Sequence, residues 1–284
     1  MHLKLKALAL ATGLLTLAGC ATGPVAAPPA TSPDSAMAIA QSGPAPMIEV
    51  TLPAPAPGAR FTQCFPDQLK PGHAYLALWP VGGGYTAETW FSQNFKGTQS
   101  CLTTIGHTAF QIDWEMQVYG FLHEVGLYDL AIAVDDIRPD VKGRHEHELR
   151  NIRGGGGYTG LYGWFGKAGT PESIELYIND NWAGEKPNMG DCIRLGSIDI
   201  DGGTYEIWTR PRKGQRFAQF WSNRTTQRTS GEISYAKHFE AWRKLGLPNA
   251  TLTRLTFAFE VRWGMPGAGT AHYKSFAIDP PVRR

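Results

Sequence analysis

"PESIELYIND", residues 171–180, decides the fold class: Ile174, Leu176 and Ile178 alternate with Glu175 and Tyr177. A period of two belongs to a strand, whose successive side chains point to opposite faces. One face of this strand is aliphatic, and the other sets a carboxylate beside a phenol. Such a Glu either meets bulk water or lines a cleft and acts there.

The same signature recurs on both sides. "AYLALW" (74–79), "HTAFQIDWEM" (107–116), "GLYDLAIAV" (126–134) and "YTGLYGWF" (158–165) precede it. "GTYEIWTR" (203–210), "RFAQFWSNR" (216–224), "GEISY" (231–235), "LTRLTFAFEV" (252–261) and "TAHYKSFAI" (270–278) follow. These segments alternate or are rich in β-branched and aromatic residues, and glycine runs at 82–84 and 154–157 mark turns between them. The pattern predicts an all-β sandwich or partly closed barrel. "YAKHFEAWRKLG" (235–246) alone has helical spacing, at Phe239, Trp242 and Leu245. Ser234 is placed to cap that helix, and Gly246 and Pro248 to end it.

The N-terminus is of another kind. Lys4 and Lys6 precede the apolar run "ALALATGLLTLAGC", which is too short to span a bilayer and has the form of a signal peptide over residues 1–19. "LAGC" resembles a bacterial lipoprotein box, so cleavage would leave Cys20 as a lipidated N-terminus; plain secretion is the alternative. Ala21 after Cys20 leans towards the outer membrane. Residues 20–58 are rich in Pro and Ala and read as a tether, which leaves 59–284 as one domain. The chain has 27 Lys and Arg against 25 Asp and Glu, and loss of Lys4 and Lys6 balances them. No basic stretch dominates, so a nucleic-acid partner is disfavoured and a neutral ligand fits better. Cys64, Cys101 and Cys192 remain for an oxidising compartment, and of the three pairings Cys64–Cys101 is preferred, because both flank the early strands. No cofactor is implied. "HEHE" (145–148) lacks metal-site spacing and reads as part of a solvated insertion.

A second carboxylate stands in "TFAFEVRW", where Glu260 lies opposite the row Phe257, Phe259 and Val261. Two carboxyl groups flanking a glycosidic bond are the usual equipment for hydrolysing it. Tyr162 with Trp164, and Gln219 with Trp221, share faces in their strands. Flat rings of this kind stack on pyranose faces, while amides and phenols bond hydroxyl groups.

"GGTYEIWTR", "QFWSNRTTQRTSGEIS" and "HFEAWRKLGL" strongly resemble the core of glycoside hydrolase family 11, the jelly-roll endo-1,4-β-xylanases. The resemblance implies a β-jelly-roll sandwich of two antiparallel sheets forming a cleft, with one short α-helix. It implies Glu175 as nucleophile, Glu260 as acid/base, and Tyr177 as the residue orienting the nucleophile. Tyr162, Gln219 and Arg210 match cleft residues, Trp79 in "WPVGGG" matches a stacking platform, and Trp164 matches a second cleft-edge Trp. The implied reaction is retaining double displacement on xylan, with carboxyls about 5–5.5 Å apart, in a monomer tethered to a membrane by its lipid.

Departures from the family pattern accompany the match. Between Arg210 and Gln219 the sequence reads only "PRKGQRFA", a shortened and basic thumb (Arg212, Lys213, Arg216). Val261, Arg262 and Trp263 follow Glu260 where the family has Gly-Tyr, and near "VYGF" (118–121) Gly120 stands where the resemblance implies the Asn or Asp that tunes the acid/base. A carbohydrate-binding surface lipoprotein without activity, or a hydrolase of another β-1,4-glycan, therefore stands as the alternative.

Overall fold

In the computed structural model the period-two segments become the strands of two sheets packed face to face. Residues 46–64, 72–92, 96–118, 120–154, 156–186, 189–211, 217–261 and 266–282 are described. The signal peptide, Cys20, the thumb residues Arg212, Lys213 and Arg216, and Arg262 and Trp263 lie outside them.

From the N-terminus the strands are β1 (Met47–Thr51), β2 (Arg60–Cys64), β3 (Ala74–Gly82), β4 (Tyr85–Phe91), β5 (Lys96–Ile105) and β6 (Ala109–Val118). Then come β7 (Phe121–Leu127), β8 (Ile132–Ala133), β9 (Gly143–Gly154), β10 (Gly157–Phe165) and β11 (Ile174–Ala183). The C-terminal part adds β12 (Ile193–Ile200), β13 (Gly203–Arg210), β14 (Ala218–Arg224), β15 (Ser230–Ile233), β16 (Thr251–Val261) and β17 (Gly267–Ile278), with helix α1 (Tyr235–Lys244) before β16. The larger sheet has 11 strands, ordered β1-β3-β4-β7-β16-β10-β11-β14-β13-β12, with β8 attached to β16. The smaller has six, ordered β15-β9-β17-β6-β5-β2.

The pairings are antiparallel except at two places, β1 with β3 and β11 with β14. β12, β13 and β14 pair antiparallel in turn, so β12, like β14, runs in the direction of β11. The tether is also shorter than expected. Met47–Thr51, inside the stretch read as tether, is an edge strand of the larger sheet.

The core lies between the sheets. Leu161, Leu176, Ile178, Phe257 and Phe259 from the larger sheet meet Leu102, Phe110, Ile112, Tyr273 and Phe276 from the smaller. Burial of each such side chain contributes about 1.5–3 kcal/mol. Trp79 belongs to this layer as well: it is fully buried, 5.5 Å from the Phe61 ring, with Nε1 facing Thr104 Oγ1 at 3.4 Å. It is therefore not the stacking platform expected, because β3 turns Ala77, Trp79 and Val81 inward.

Helix α1 forms where its spacing predicts and buries Tyr235, His238, Phe239 and Trp242. Leu245 is exposed past its end, and Leu247 fills that place in the core. Ser234 does not cap with its side chain, which instead hydrogen-bonds Asp201 Oδ1 at 2.6 Å.

The "HEHE" segment is a strand rather than a solvated insertion. On β9, His145 and His147 face inward and Glu146 faces solvent. His145 Nε2 lies 2.8 Å from Asp180 Oδ2, and His147 Nε2 lies 2.9 Å from the Asn181 amide. Arg228 Nε donates to the same Asp180 oxygen at 2.8 Å, and Tyr205 donates to Oδ1. Burial alone would raise the Asp180 carboxyl, but hydrogen bonding to His145 and the charge of Arg228 hold it below its usual range. Burial pushes His147 down to about 3.

Two stability predictions follow from these cross-links. Asp180→Asn strands Arg228 and should cost about 3–5 kcal/mol in denaturant unfolding at pH 7. Because the folded Asp180 carboxyl lies below its unfolded value, its contribution is complete above about pH 4 and is lost as pH falls, so the deficit should shrink in acid. Cys64 lies opposite Cys101 on β2 and β5, and the two are disulfide-bonded across 37 residues of chain. Replacing both with Ala should lower stability by about 3–4 kcal/mol, read as a fall in Tm.

Candidate active site

The face of the larger sheet turned away from the core carries the polar and aromatic residues. Strand register sets Arg210, Gln219, Glu175, Trp164 and Arg254 opposite one another on β13, β14, β11, β10 and β16. The next row holds Trp208, Trp221, Tyr177, Tyr162 and Thr256. Further along, Glu260 lies opposite Tyr158.

Glu175 is the centre of this face. Its Oε1 accepts from Tyr162 Oη at 2.8 Å and its Oε2 from Gln219 Nε2 at 2.6 Å. Trp164 Nε1 donates to Tyr162 Oη at 2.7 Å, which fixes the phenol that fixes the carboxylate. Burial raises the Glu175 carboxyl above its ordinary range, while hydrogen bonds from Gln219, Tyr162 and Tyr177 pull the other way. The Tyr177 ring stacks on Trp221 with centroids 3.6 Å apart and planes 7° apart, so Trp221 is part of the cleft layer rather than the core between the sheets.

Glu260 shares a small concavity with Tyr158, Tyr162, Tyr177 and Asn179, floored by Gly160 and Ala258. A Cβ on Gly160 would come within 2.0 Å of Ile178 O, so only Gly permits this approach of β10 to β11. Glu175 and Glu260 both act electrostatically on Tyr177 and Tyr162, which places the two carboxyls around one pair of phenols. Arg210 stands at the margin, exposed, with Nη2 3.1 Å from Asp191 Oδ2. Of the expected site residues, the structure brings together Glu175, Tyr162, Trp164, Tyr177 and Gln219, sets Glu260 across β10 from them, leaves Arg210 at the edge, and removes Trp79 to the core.

A group not anticipated from the sequence adjoins them. Arg254 Nη1 lies 2.7 Å from Glu124 Oε1 and 3.0 Å from Glu88 Oε2, and Thr256 Oγ1 donates to Glu124 Oε2 at 2.5 Å. The Arg254 guanidinium also lies over the Tyr128 ring, 4.4 Å from its centroid. The sequence signal was present in β7, where Leu122, Glu124 and Gly126 share one face, but "FLHEV" has no apolar–polar alternation to expose it.

Carboxyl and aromatic side chains thus gather on the outer face of the larger sheet of a two-sheet jelly roll. The profile of Glycosyl hydrolases family 11 matches residues 83–272, and the chain belongs to that family. It is 34% identical over 146 residues to Endo-1,4-beta-xylanase A of Bacillus pumilus, which covers 45% of this chain and 59% of that protein. It is 29% identical over 210 residues to Endo-1,4-beta-xylanase A of Thermoclostridium stercorarium, covering 68% of this chain and 28% of that protein. The chain thus spans less than two thirds of the length of these curated relatives. The family 11 xylanase structure from Neocallimastix patriciarum superposes with a TM-score of 0.61 at 24% identity, covering 78% of this chain and 99% of that one, which establishes the shared fold.

The Arg254 group gives the site a measurable pH signature. Burial pushes the Glu88 carboxyl up to about 8, with Arg254 opposing and Glu124 adding to the rise. The folded state therefore keeps a proton that the unfolded chain releases near pH 4.5, so this group's contribution is full below that value and is lost as pH rises towards 8. Glu88→Gln mimics the protonated form. The Tm difference between variant and wild type should move in the variant's favour from pH 5 to pH 8, by up to about 4 kcal/mol of stability.

Proposed function

We propose that this chain is an endo-acting retaining glycoside hydrolase that cleaves β-1,4-xylosidic linkages in xylan. The observation carrying the proposal is the Glu175 carboxylate, held by Tyr162 and Gln219 on the face it shares with Glu260. Family membership and the xylanase names of the relatives support the same reading. A protein that merely bound sugar would need neither a buried carboxylate with dedicated donors nor a second carboxyl facing the same phenols.

In this reading a Glu175 oxygen attacks the anomeric carbon while the bond to the leaving oxygen breaks, and Glu260 gives that oxygen its proton. Glu260, now ionised, takes a proton from water; the hydroxide so formed attacks the anomeric carbon and frees Glu175. Tyr162 and Gln219 keep the nucleophile aimed, and Tyr177, Trp221 and Trp164 supply ring faces and hydrogen-bonding edges for the sugars. The N-terminal features extend the proposal: export directed by residues 1–19, a lipid on Cys20 holding a monomeric domain at the cell envelope, and a Pro/Ala tether giving it reach.

The test uses the purified domain on xylan, mixed-linkage glucan and cellulose, with new reducing ends as readout. Xylan should be cleaved, first-formed ends should be β, and Glu175→Gln should reduce release to background. Glu260→Gln should lower kcat by about 10²–10⁴-fold. Binding without release, equal in wild type and variants, would replace the enzyme reading with that of a sugar-binding lipoprotein; preferential cleavage of glucan would replace xylan.

A further inference from the structure

We propose that Asn179 is a positioning residue for Glu260: its side-chain oxygen accepts the carboxyl proton and so keeps Glu260 in the acid form that the reaction requires. The proposal rests on the hydrolase reading above.

The argument starts at Met189. Asn223 Nδ2 donates to Met189 Sδ at 2.9 Å. A thioether only accepts, so the Asn223 amide is fixed with its nitrogen towards Met189 and its oxygen towards Asn179. Asn179 must then present its own nitrogen to Asn223, and Nδ2 donates to Asn223 Oδ1 at 2.8 Å. That removes the usual ambiguity of an amide's two ends and leaves Oδ1 as the end available to the concavity that Asn179 shares with Glu260. The floor beside Asn179 is Gly160 and Ala258, which follow it in register across β10 and β16, and Tyr158, opposite Glu260 on β10, bounds the same concavity.

An acceptor beside a carboxyl favours the protonated form, because only that form has a hydrogen to donate. The alternative end, an amide N–H, would favour the ionised form. The other titratable or charged groups near this concavity are Tyr158 and Tyr162 on β10, Tyr177 on β11, and Glu175, Glu124 and Arg254, whose charges act with that of Glu260 on Tyr162. Phenols can donate to a carboxylate, and the carboxylates act by charge; among the concavity's lining residues named above, Asn179 alone brings a neutral amide acceptor.

The experiment is the pH profile of kcat/KM for wild type, Asn179→Ala and Met189→Leu, on xylan and on an aryl xylobioside whose phenol is acidic enough to leave unprotonated. Wild-type activity abolished by Glu175→Gln is established first; without it the hydrolase reading fails, and this proposal fails with it. Given that activity, the alkaline limb on xylan should move to lower pH by about 0.5–1 unit in Asn179→Ala. It should move in the same direction by less in Met189→Leu, where Asn223 and Asn179 are free to turn over. The acidic limb should stay in place, and kcat for the activated aryl substrate should change less than twofold. If Asn179→Ala does not fold, the partly exposed Met189 variant decides alone. An alkaline limb unmoved in the folded variants, or an equal loss on both substrates, would overturn the proposal while leaving the hydrolase intact.

Discussion

Strand β11 buries a carboxylate on each of its faces, and each must be supplied with donors or left at a cost of several kcal/mol. Glu175 faces the cleft and is met by Tyr162 and Gln219 from the strands on either side. Asp180 faces the core and is met by His145 from the other sheet and by Arg228 and Tyr205. Five residues separate the two, an odd number, so simple alternation already sets them on opposite sides. The register shift between Thr159 and Gly160 leaves Asp180 without an opposite residue on β10, which also lets Asn181 turn to His147. Strand β11 is thereby locked to the smaller sheet by an ionic network, and a rigid strand holds the Glu175 carboxylate in one direction.

Much of this was legible as period two. In β10, β11 and β14 one parity is aliphatic or Gly and the other is Tyr, Trp, Glu or Gln, so face assignment followed directly for Tyr162, Trp164, Glu175, Tyr177 and Gln219. In β3, "AYLALWPVG" is apolar on both parities, and hydrophobicity cannot choose which side is the core. Trp79 went inward because the space opposite Phe61 holds an indole; the resemblance alone had set it in the cleft. In β9 the failure was of the opposite kind. His and Glu alternate, both polar, and the periodicity was invisible to an apolar count although it is a strand's. His145 and His147 can be buried only because Asp180 and Asn181 lie across the core to bond them, a fact of tertiary structure that no local window holds. β1 was missed because five strand residues sit inside a Pro- and Ala-rich stretch whose average composition reads as linker.

The cleft face is chemically uneven, and the unevenness bears on catalysis. Around β10, β11 and β14 the layer is Tyr158, Tyr162, Trp164, Tyr177 and Trp221, stacked or edge-on to one another. Such a layer offers sugar faces apolar contact and holds donors in fixed directions. Around β16, β7 and β4 the same face is ionic, with Arg254 shared between Glu124 and Glu88. Buried charge of that kind adds little net stability. What it does supply is a field: the charge on Glu124 helps raise the Glu175 carboxyl and acts on the Tyr162 phenol that holds it. Thr256, bonded to Glu124 and within 3.3 Å of the Tyr162 carbonyl, ties the two halves mechanically as well.

Ionisation of Glu175, the nucleophile we propose, is opposed by burial and by the Glu124 charge and favoured by its hydrogen-bond donors. Tyr162 and Gln219 therefore do more than hold Glu175 in place: their hydrogen bonds favour its charged form against burial and the charge of Glu124. The acid needs the reverse, an environment that withholds donors from the carboxylate and offers an acceptor to the carboxyl. Two Glu residues on one face can serve opposite ends of a reaction only if their neighbours differ in this way. On β11 Tyr177 hydrogen-bonds Glu175, and two residues on Asn179, whose nitrogen donates to Asn223, is the acceptor we propose for Glu260. In the proposed mechanism the division of labour between the two carboxyls is thus set along a single strand, in the order of a phenol and an amide.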